Sequence, residues 1–253
     1  MSARHIFRLT GPDTRDFLQG LVTNDVRRVD DGLVYAALLT PQGKYLADFF
    51  LCADGADVLL DADADQADML RTRLGMYKLR ADVTLRDANL HLHRGLGDVP
   101  KDGFADPRNA ALGWRAYRAT PSSDEAIDWT ALRVAHLIPQ AGIELTTDTF
   151  ILEAGFEALN GVDFRKGCYV GQEVTARMKH KTTLRKGLAM VTVEGDVEPG
   201  TDIVADGKTV GTLLSRAGHR AIAYLRFDRA KGDMQAGNAR VLREASETET
   251  VSD

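Results

Sequence analysis

Cysteine is scarce in this sequence. Cys52 and Cys168 are the only two cysteines among 253 residues, and they lie far apart along the chain. Small secreted domains that depend on disulfides carry several closely spaced cysteines, so this class is excluded. The scarcity favours a reducing, cytoplasmic setting.

Long apolar runs are also missing. No stretch approaches the roughly 18 residues that a membrane-spanning helix needs. The N-terminal residues MSARHIFRLTGPD have no apolar signal core and enter a strand-like segment almost at once. We therefore expect no membrane association, no secretory signal and no transit peptide. The content of 44% hydrophobic and 27% charged residues is ordinary for a soluble globular protein of one to three domains.

Charge is distributed unevenly, although the net charge is only −5. Six aspartates and no Lys or Arg occur from Asp54 to Asp68, whereas seven Lys or Arg and one Glu occur from Arg165 to Lys186. The acidic stretch is typical of a solvated surface. The basic stretch is either a solvated helix face or a region that attracts an anionic ligand or partner. Because aromatic residues do not alternate with these cations, we expect no direct nucleic-acid binding.

The basic stretch contains the most informative motif, KGCYVGQE, from Lys166 to Glu173. Val170, Val174 and Met178 recur every four residues, which predicts a helix from Val170 to His180. Acidic and amide side chains in the first turn and cations in the last turn suit the dipole of such a helix.

Cys168 is therefore expected where a helix begins, next to Arg165 and Lys166. Free backbone N–H groups at a helix start and adjacent cations both stabilise a thiolate. Gly167 and Gly171 leave room for a ligand or another backbone to approach. The alternative is a small buried cysteine at a glycine-rich helix entry.

These residues resemble the signature of the YgfZ family. Its members are folate-binding relatives of the glycine-cleavage T-protein that assist iron–sulfur cluster assembly, and eukaryotic mitochondrial members share the signature. The DPR and LGWR segments at 106–108 and 112–115 resemble a second element of the family. The runs at 9–26 and 40–44 are similar to the start that this family shares with T-proteins.

The resemblance implies an α+β fold of the T-protein (aminomethyltransferase-like) type with a C-terminal β-barrel. Short strands punctuated by glycine after the motif independently favour a small barrel or sandwich. We expect a folate-binding α/β region of one or two interleaved modules over 1–165, a signature helix over 166–181, a barrel over 182–243 and a disordered tail over 244–253.

Asp48 is the second candidate site residue. It lies in a strand, Lys44 to Cys52, whose two faces are both apolar, so its carboxylate is expected at a cavity wall. Buried carboxylates are paired, hydrogen-bonded or protonated, and they concentrate at functional sites. By the T-protein resemblance, Asp48 matches a residue near the folate pterin, and Asn24, Tyr35 and Lys44 are candidates for the same cavity. The alternative roles are tying down a loop for Asp48 and turn chemistry, packing or solvation for the others.

The function implied by the resemblance is a folate-binding accessory factor for iron–sulfur cluster assembly or repair, without classical turnover and with a link to tRNA modification. Two cysteines cannot hold a four-thiolate cluster, so Cys168 would act as a ligand shared with an assembly scaffold or carrier protein. Tetrahydrofolate is the expected cofactor. The remaining motif positions assigned to the site are Lys166, Gly167, Tyr169, Gly171, Gln172, Glu173 and Arg177. The setting would be the cytoplasm of a bacterium, or the mitochondrial matrix in a eukaryote.

The alternative function is a tetrahydrofolate-dependent aminomethyl or methyl transferase. Against it, the chain is shorter than typical T-proteins and lacks their GYTGE-like strand between Pro139 and Phe164. His91 and His93 share a strand face, but no acidic or cysteine cluster completes a metal site around them. No glycine-rich motif has the strand–turn–helix context of a dinucleotide site.

Overall fold

The computed structural model describes residues 3–122, 127–181 and 184–244. These residues form four α-helices and fourteen β-strands, which build a five-stranded sheet, a three-stranded sheet and a closed barrel. None of the helices in the described ranges has the length and apolar character needed to cross a membrane. The tail predicted to be disordered lies outside the described residues from 245 onwards.

The five-stranded sheet is antiparallel, and its strands lie within residues 4–87. Its strands are β1 (Arg4–Thr10), β2 (Val34–Leu39), β3 (Tyr45–Asp54), β4 (Asp57–Asp63) and β5 (Thr84–Asp87). In space they follow the order β2-β3-β4-β1-β5. The sequence predicts a hairpin here, because two apolar runs flank the turn-forming residues Pro41-Gln42-Gly43. Strands β2 and β3 form this hairpin by pairing with each other. β3 is central and buried on both faces, as its composition predicts.

One face of the sheet packs against the helices α1 (Thr14–Gln19) and α2 (Ala67–Lys78). The core there combines Phe7 and Phe49 from the strands with Leu18, Leu70 and Leu74 from the helices, all of which are buried. The sequence predicts a helix that is capped by Asp63 and reaches about Gly75. In the structure, α2 follows a short 3₁₀ turn in which the Asp63 carboxylate accepts from the backbone N–H of Asp65. The helix continues three residues beyond Gly75, its predicted end.

The three-stranded sheet consists of β6 (His91–Gly95), β7 (Gly103–Ala105) and β8 (Trp114–Arg118) in the order β6-β8-β7. The sequence predicts loop for residues 94–109, which is wrong for β7, because the Gly and Pro content of this region hides a three-residue strand. Helix α3 (Trp129–Ala135) follows, and the Asp128 carboxylate caps it by accepting from the backbone N–H of Ala131. From the sequence, Ser123 is expected to cap a helix that runs to about Leu137, but Ser123 lies outside the described residues.

Residues 136–171 cover the other face of the five-stranded sheet with turns and bends but no helix or strand. Their apolar side chains, including Ile138, Ile151 and Phe156, form a second core with Tyr35 and Phe50. Helix α4 (Gln172–Lys181) then leads to the barrel.

The barrel closes six strands in the order β10-β11-β12-β9-β14-β13. Their bounds are β9 (Lys186–Glu194), β10 (Asp202–Ala205), β11 (Lys208–Ala217), β12 (Arg220–Arg226), β13 (Met234–Ala236) and β14 (Ala239–Arg243). Alternate residues of β9 point inward, and Val191 and Val193 are buried with Leu213 and Val241 in its interior. The predicted barrel or sandwich is thus a closed barrel, and β13 is a strand that the sequence pattern does not predict.

Candidate functional site

Cys168 is exposed and lies in a loop that precedes helix α4. The helix begins at Gln172, four residues after the cysteine. The expectation that Cys168 sits at a helix start is therefore wrong, and the backbone N–H groups of the first turn do not account for its chemistry. The alternative expectation of a buried cysteine is wrong as well. What the loop offers is an accessible thiol.

Lys166 is almost completely buried, although it is only two residues from the exposed cysteine. Its ammonium donates to three backbone carbonyls, those of Gln19 at 2.9 Å, Asn24 at 2.8 Å, and Val22. Burial lowers the pKa of Lys166 to about 8, against the opposite effect of the Asp25 and Asp163 carboxylates. The expectation that Lys166 stabilises a thiolate on Cys168 is therefore wrong. Its ammonium instead holds the loop against residues 19–24 through these hydrogen bonds.

Gly171 holds the other end of the loop. Its φ is +84°, and a Cβ atom there would lie 2.6 Å from the carbonyl oxygen of Thr40 and 3.2 Å from Cα of Gly43. Gly43, at φ +76°, is equally restricted, since a Cβ on it would lie 2.8 Å from Cβ of Val174. The tip of the β2–β3 hairpin and the start of α4 thus touch backbone to backbone, which only glycine permits.

Tyr169 anchors the middle of the loop. Its side chain is buried in the second core, and burial raises its pKa to about 12. The Lys166 ammonium lies 5.2 Å from the centre of its ring. The side chains on both sides of the thiol are therefore internal, while Gly167 and Cys168 are exposed and no atom lies within 4 Å of where a Gly167 Cβ would be.

Helix α4 carries the predicted ion pair. The Arg177 guanidinium donates to the Glu173 carboxylate at 2.6 Å, and both side chains are exposed. Lys179 is paired with Glu157. Lys186 is paired with Glu153 at 3.7 Å, so three of the cations in the basic stretch are neutralised within the chain. Arg165 and Arg185 are exposed and form no ion pair with any described residue. Gln172 is half-buried at the start of the helix.

Asp48 lies at a cavity wall with its carboxylate between two tyrosines. Tyr35 donates to one carboxylate oxygen at 3.0 Å and Tyr45 to the other at 2.6 Å. The Gln66 side chain donates in turn to the Tyr45 hydroxyl at 2.9 Å. Burial and the Asp48 carboxylate both raise the pKa of Tyr35 and of Tyr45. These hydroxyls therefore remain protonated and keep donating to Asp48.

Three arginines surround the ring of Phe50 in the same region. The guanidinium carbons of Arg115, Arg108 and Arg4 lie 3.9, 4.8 and 5.9 Å from the centre of the ring. Cations placed on an aromatic face in this way are stabilised by its quadrupole. Phe50 comes from the same strand as Asp48, so the arginines gather beside that carboxylate.

Two buried carboxylates fix the arginines. Asp106 accepts from Arg108 at 2.8 and 3.0 Å and from Arg115 at 3.0 Å. Asp61 accepts from Arg4 at 2.6 Å and from Arg115 at 3.0 Å. Burial alone would raise the pKa of Asp106, but the two guanidinium groups hold it well below its usual range. The DPR and LGWR segments supply Asp106, Arg108 and Arg115 to this network. The arginines of these segments are not among the site residues predicted from the sequence.

The cavity at Asp48 is narrow, with a volume of about 40 Å³. Its charged lining residues are Arg4, Asp48, Asp63, Arg94, Arg108, Arg115 and Arg133. Guanidinium groups predominate over carboxylates on its walls, but four of the five are already paired with the buried carboxylates of Asp61, Asp106 and Glu144.

The predicted folate-contacting residues are brought together only in part. Tyr35 joins Asp48, but Asn24 donates its side-chain N–H groups to the carbonyls of Tyr35 and Asn160 at 2.8 and 2.7 Å. Lys44 lies in a different cleft, beside the barrel, with its ammonium 3.8 Å from the centre of the Phe150 ring. Asn24 thus joins two backbone segments that are distant in sequence rather than forming a local turn, and Lys44 does not reach the cavity of Asp48.

No group of three or more His, Cys, Asp or Glu residues with metal-binding geometry occurs in the part of the chain that the structure describes. His91 and His93 share a strand face, and His93 has a structural role there. Its ring nitrogen forms a hydrogen bond with the backbone carbonyl of Thr120 at 2.8 Å.

Comparison with known proteins supports both halves of the fold. Residues 185–246 match the family described as "CAF17, C-terminal beta-barrel domain". A solved structure of the glycine cleavage system aminomethyltransferase T from Bartonella henselae superposes with a TM-score of 0.78, covering 97% of this chain and 84% of that one. Its sequence identity of 14% supports a shared fold alone.

Curated relatives align over almost the whole chain. The "Iron-sulfur cluster assembly factor IBA57, mitochondrial" of Mus musculus is 31% identical over 92% of this chain and 78% of its own length. The Homo sapiens protein of the same name is 28% identical over the same shares of the two chains. An identity of 31% over 92% of this chain and 78% of the relative shows that the chain belongs to the IBA57 family.

Proposed function

We propose that this protein is an accessory factor for iron–sulfur cluster assembly in which Cys168 is the reactive group. The supporting observation is the construction of the loop, which exposes a single thiol between buried anchors at Lys166, Tyr169 and Gly171. The names of the family relatives agree with this role. The setting we propose is the mitochondrial matrix for a eukaryotic chain and the cytoplasm for a bacterial one.

Cys168 acts together with a partner. The second cysteine, Cys52, is buried in the sheet, and burial raises its pKa to about 12, so it contributes no ligand at the surface. One thiolate from this chain leaves the other positions of a cluster to an assembly scaffold or carrier protein. The unpaired Arg165, three residues before the thiol, favours a partner surface that carries negative charge, such as a thiolate-bound cluster.

The proposal includes tetrahydrofolate at the cleft of Asp48. The donor set fits the two ends of a folate: a carboxylate can accept from the N–H groups of a pterin, and guanidinium groups bind carboxylates in bidentate fashion. The space fits less well, since 40 Å³ is far below the roughly 300 Å³ of a small ligand pocket. Side chains along the cleft must therefore move apart to admit the pterin, while Asp48 and the arginines provide its recognition.

Complementation tests the role of Cys168. Cells that lack this protein would receive the wild type, Cys168→Ala, or the control Cys52→Ala, which removes the other thiol. The activities of a [4Fe–4S] enzyme and of glycine cleavage are measured together. We expect the wild type and the control to restore the cluster enzyme and Cys168→Ala to fail. Full restoration by Cys168→Ala would eliminate the thiol from the mechanism.

The same assay distinguishes the proposed role from the alternative, in which the protein is a folate-dependent aminomethyl transferase. The aminomethyltransferase fold favours this alternative. A transferase would restore glycine cleavage and leave the cluster enzyme unchanged.

Calorimetry tests the folate site directly. Tetrahydrofolate is titrated into the wild type, into Asp48→Asn and into Asp98→Asn, an exposed aspartate on the surface of the β6–β7 connection. We expect Asp48→Asn to weaken binding by about tenfold, since it removes a charge-assisted acceptor. Equal affinities for all three proteins, or no heat of binding, would remove folate from the proposal without affecting Cys168.

A further inference from the structure

Arg133 carries a buried donor that the protein leaves without an acceptor. The residue belongs to helix α3 and is 3% exposed. Nη1 donates to the carbonyl of Ile138 and to the Glu144 carboxylate, both at 2.9 Å, and Nη2 donates to the Ser215 hydroxyl. The N–H on Nε has no hydrogen-bond partner among the described residues. Because a buried donor without an acceptor costs free energy, this N–H indicates that the protein binds an acceptor there.

The same arginine lines the cavity of Asp48. Pro139 and Gln140, which follow the carbonyl that Arg133 holds, line it as well. Three buried polar side-chain atoms of the described residues lack a hydrogen-bond partner, and Nε of Arg133 is the one that belongs to a residue of this cavity. The other guanidinium nitrogens of Arg133 are bonded to protein, so Nε is the donor available to a ligand.

Asp48 contributes a fixed acceptor to the cavity. Tyr35 and Tyr45 each donate to one of its oxygens, and Gln66 donates to the Tyr45 hydroxyl, which directs the Tyr45 proton toward Asp48. An ionised carboxylate has about four acceptor positions, so about two remain for the N–H groups of a ligand. The free acceptor positions of Asp48 and the free donor of Arg133 therefore belong to one cavity.

The size of the cavity limits which part of a ligand it can recognise. One water needs roughly 10 to 15 Å³, so the cavity of about 40 Å³ holds a few atoms of a ligand rather than a whole ring system. It therefore suits an edge that presents N–H donors beside a carbonyl oxygen. The 2-amino-4-oxo edge of a pyrimidine ring has this pattern, because its amino group, ring N–H and carbonyl are neighbours.

We propose that Asp48 and Arg133 together recognise this 2-amino-4-oxo edge. The Asp48 carboxylate accepts from the amino group and the ring N–H, and Nε of Arg133 donates to the carbonyl oxygen. Tetrahydrofolate carries the edge on its pterin, so the inference rests on the folate site proposed above and names the residue that contacts the carbonyl. Guanine carries the same edge, and the experiment distinguishes these two sources.

Two ligands that differ at the carbonyl test the inference. Tetrahydrofolate has oxygen at this position, whereas tetrahydroaminopterin has an amino group, whose N–H would face the N–H of Arg133. Calorimetry measures the binding of each to the full chain, at a pH where the diamino ring is uncharged, and guanosine is titrated in the same way. We expect the wild type to bind tetrahydrofolate about tenfold more tightly than tetrahydroaminopterin, or better, because a site built to donate to an oxygen rejects the analogue that lacks it.

Arg133→Lys keeps a cation for Glu144 and removes the Nε donor. We expect this variant to bind tetrahydrofolate about tenfold more weakly than the wild type and tetrahydroaminopterin equally well. The control is Arg118→Lys, which changes an arginine that is paired with Asp102 and does not line the cavity. Its two affinities should match those of the wild type. Since the comparison of the two ligands on the wild type needs no variant, it decides the outcome even if Arg133→Lys does not fold.

The possible results separate this inference from the folate site itself. Equal affinities of the wild type for tetrahydrofolate and tetrahydroaminopterin, or an equal loss of both in Arg133→Lys, would overturn the role of Arg133 and leave folate in the cleft. Binding of guanosine without binding of tetrahydrofolate, lost in Arg133→Lys, would support recognition of the edge and remove folate from the proposed function. Binding of none of the three ligands would overturn both, without affecting Cys168.

Discussion

Lys166 is the residue on which the position of the Cys168 loop depends most directly. Its three acceptors lie 142 to 147 residues away in sequence, so the bonds join the second half of the chain to the connection between α1 and β2. A buried ammonium is tolerated only when its donors are satisfied, and here all three are. The same residue therefore stabilises the fold and fixes the direction in which the neighbouring thiol is presented.

Lys166→Met should destabilise the protein by about 3 kcal/mol, because three buried carbonyls lose their donor. The effect should depend on pH. The pKa of Lys166 is lowered to about 8 in the folded state from the ordinary 10.5, so between these values the unfolded chain binds the extra proton and the free energy of unfolding rises with pH. Urea unfolding measures the free energy of unfolding of both proteins at two pH values. About pH 7.5 lies below the window of about 8 to 10.5, and about pH 10 lies within it.

We expect the free energy of unfolding of the wild type to exceed that of Lys166→Met by more at the higher pH than at the lower one. An advantage that shrinks instead would mean that the three carbonyls stabilise the cation more than burial destabilises it.

The two thiols should differ strongly in reactivity. Cys168 is exposed, whereas Cys52 is buried and its pKa is raised to about 12 by burial. Iodoacetamide should therefore modify the native protein at Cys168 alone, and modify both cysteines only after denaturation. Mass spectrometry of the intact protein counts the adducts. Cys168→Ser should show no adduct in the native state, and a native adduct on that variant would contradict the burial of Cys52.

At the scale of elements, the loop before α4 is positioned from three directions. Residues 19–24 hold Lys166, the second core holds Tyr169, and the β2–β3 hairpin holds Gly171. The loop needs no helix dipole to be ordered, because each anchor is a tertiary contact.

Gly171→Ala and Gly167→Ala form a matched pair that tests this arrangement. Gly171 has φ +84° and no room for a Cβ, while Gly167 faces open space. We expect Gly171→Ala to destabilise the protein by about 3 kcal/mol through strain and overlap, and Gly167→Ala to change stability by less than about 1 kcal/mol. Urea unfolding measures both. Similar losses for the two variants would show that the loop is restrained in another way.

The sequence predicts those elements whose pattern is local. Apolar runs on both sides of a Pro-Gln-Gly turn predict the β2–β3 hairpin, and the acidic cap with spaced leucines predicts α2. The start of α4 is mispredicted because Val170 continues the helical spacing, although Gly171 must adopt a positive φ to meet the hairpin. The strands β7 and β13 are missed since each has only three residues, too few for an alternating pattern.

The same holds for the candidate site, where features that depend on neighbouring residues are predicted better than features that depend on distant ones. The two apolar faces of its strand predict the burial of Asp48, whereas the residues near Cys168 leave its exposure open. The anchoring of Lys166 and the arginines around Phe50 could not be predicted, because their partners come from distant strands and loops.

At the scale of the whole molecule, the barrel is joined to the rest of the chain through buried polar contacts. Glu144 accepts from Arg133 at 2.9 Å and from the backbone N–H of Ser215 in the barrel at 3.2 Å. Glu153 accepts from the Tyr224 hydroxyl of the barrel at 2.7 Å. The segment 136–171 therefore connects the cavity of Asp48, the Cys168 loop and the barrel.

Glu144→Ala should destabilise the protein by about 3 to 5 kcal/mol, because it leaves the Arg133 guanidinium buried without its carboxylate. Glu173→Ala, which removes the exposed pair with Arg177, should cost no more than about 0.5 kcal/mol. Thermal unfolding followed by tryptophan fluorescence and by circular dichroism compares them. Equal small losses would mean that Arg133 finds another acceptor.

The closed barrel and the open sheet should differ in how readily they aggregate when the protein is heated. A closed barrel presents no unpaired strand edge, so it has no template for pairing with another chain. β5, as an end strand with unpaired backbone groups, does present one, although its short length and the charges of Arg86 and Asp87 oppose such pairing. Aggregates formed on heating should therefore grow from the N-terminal sheet, and their protease-resistant cores should contain β5 rather than strands of the barrel.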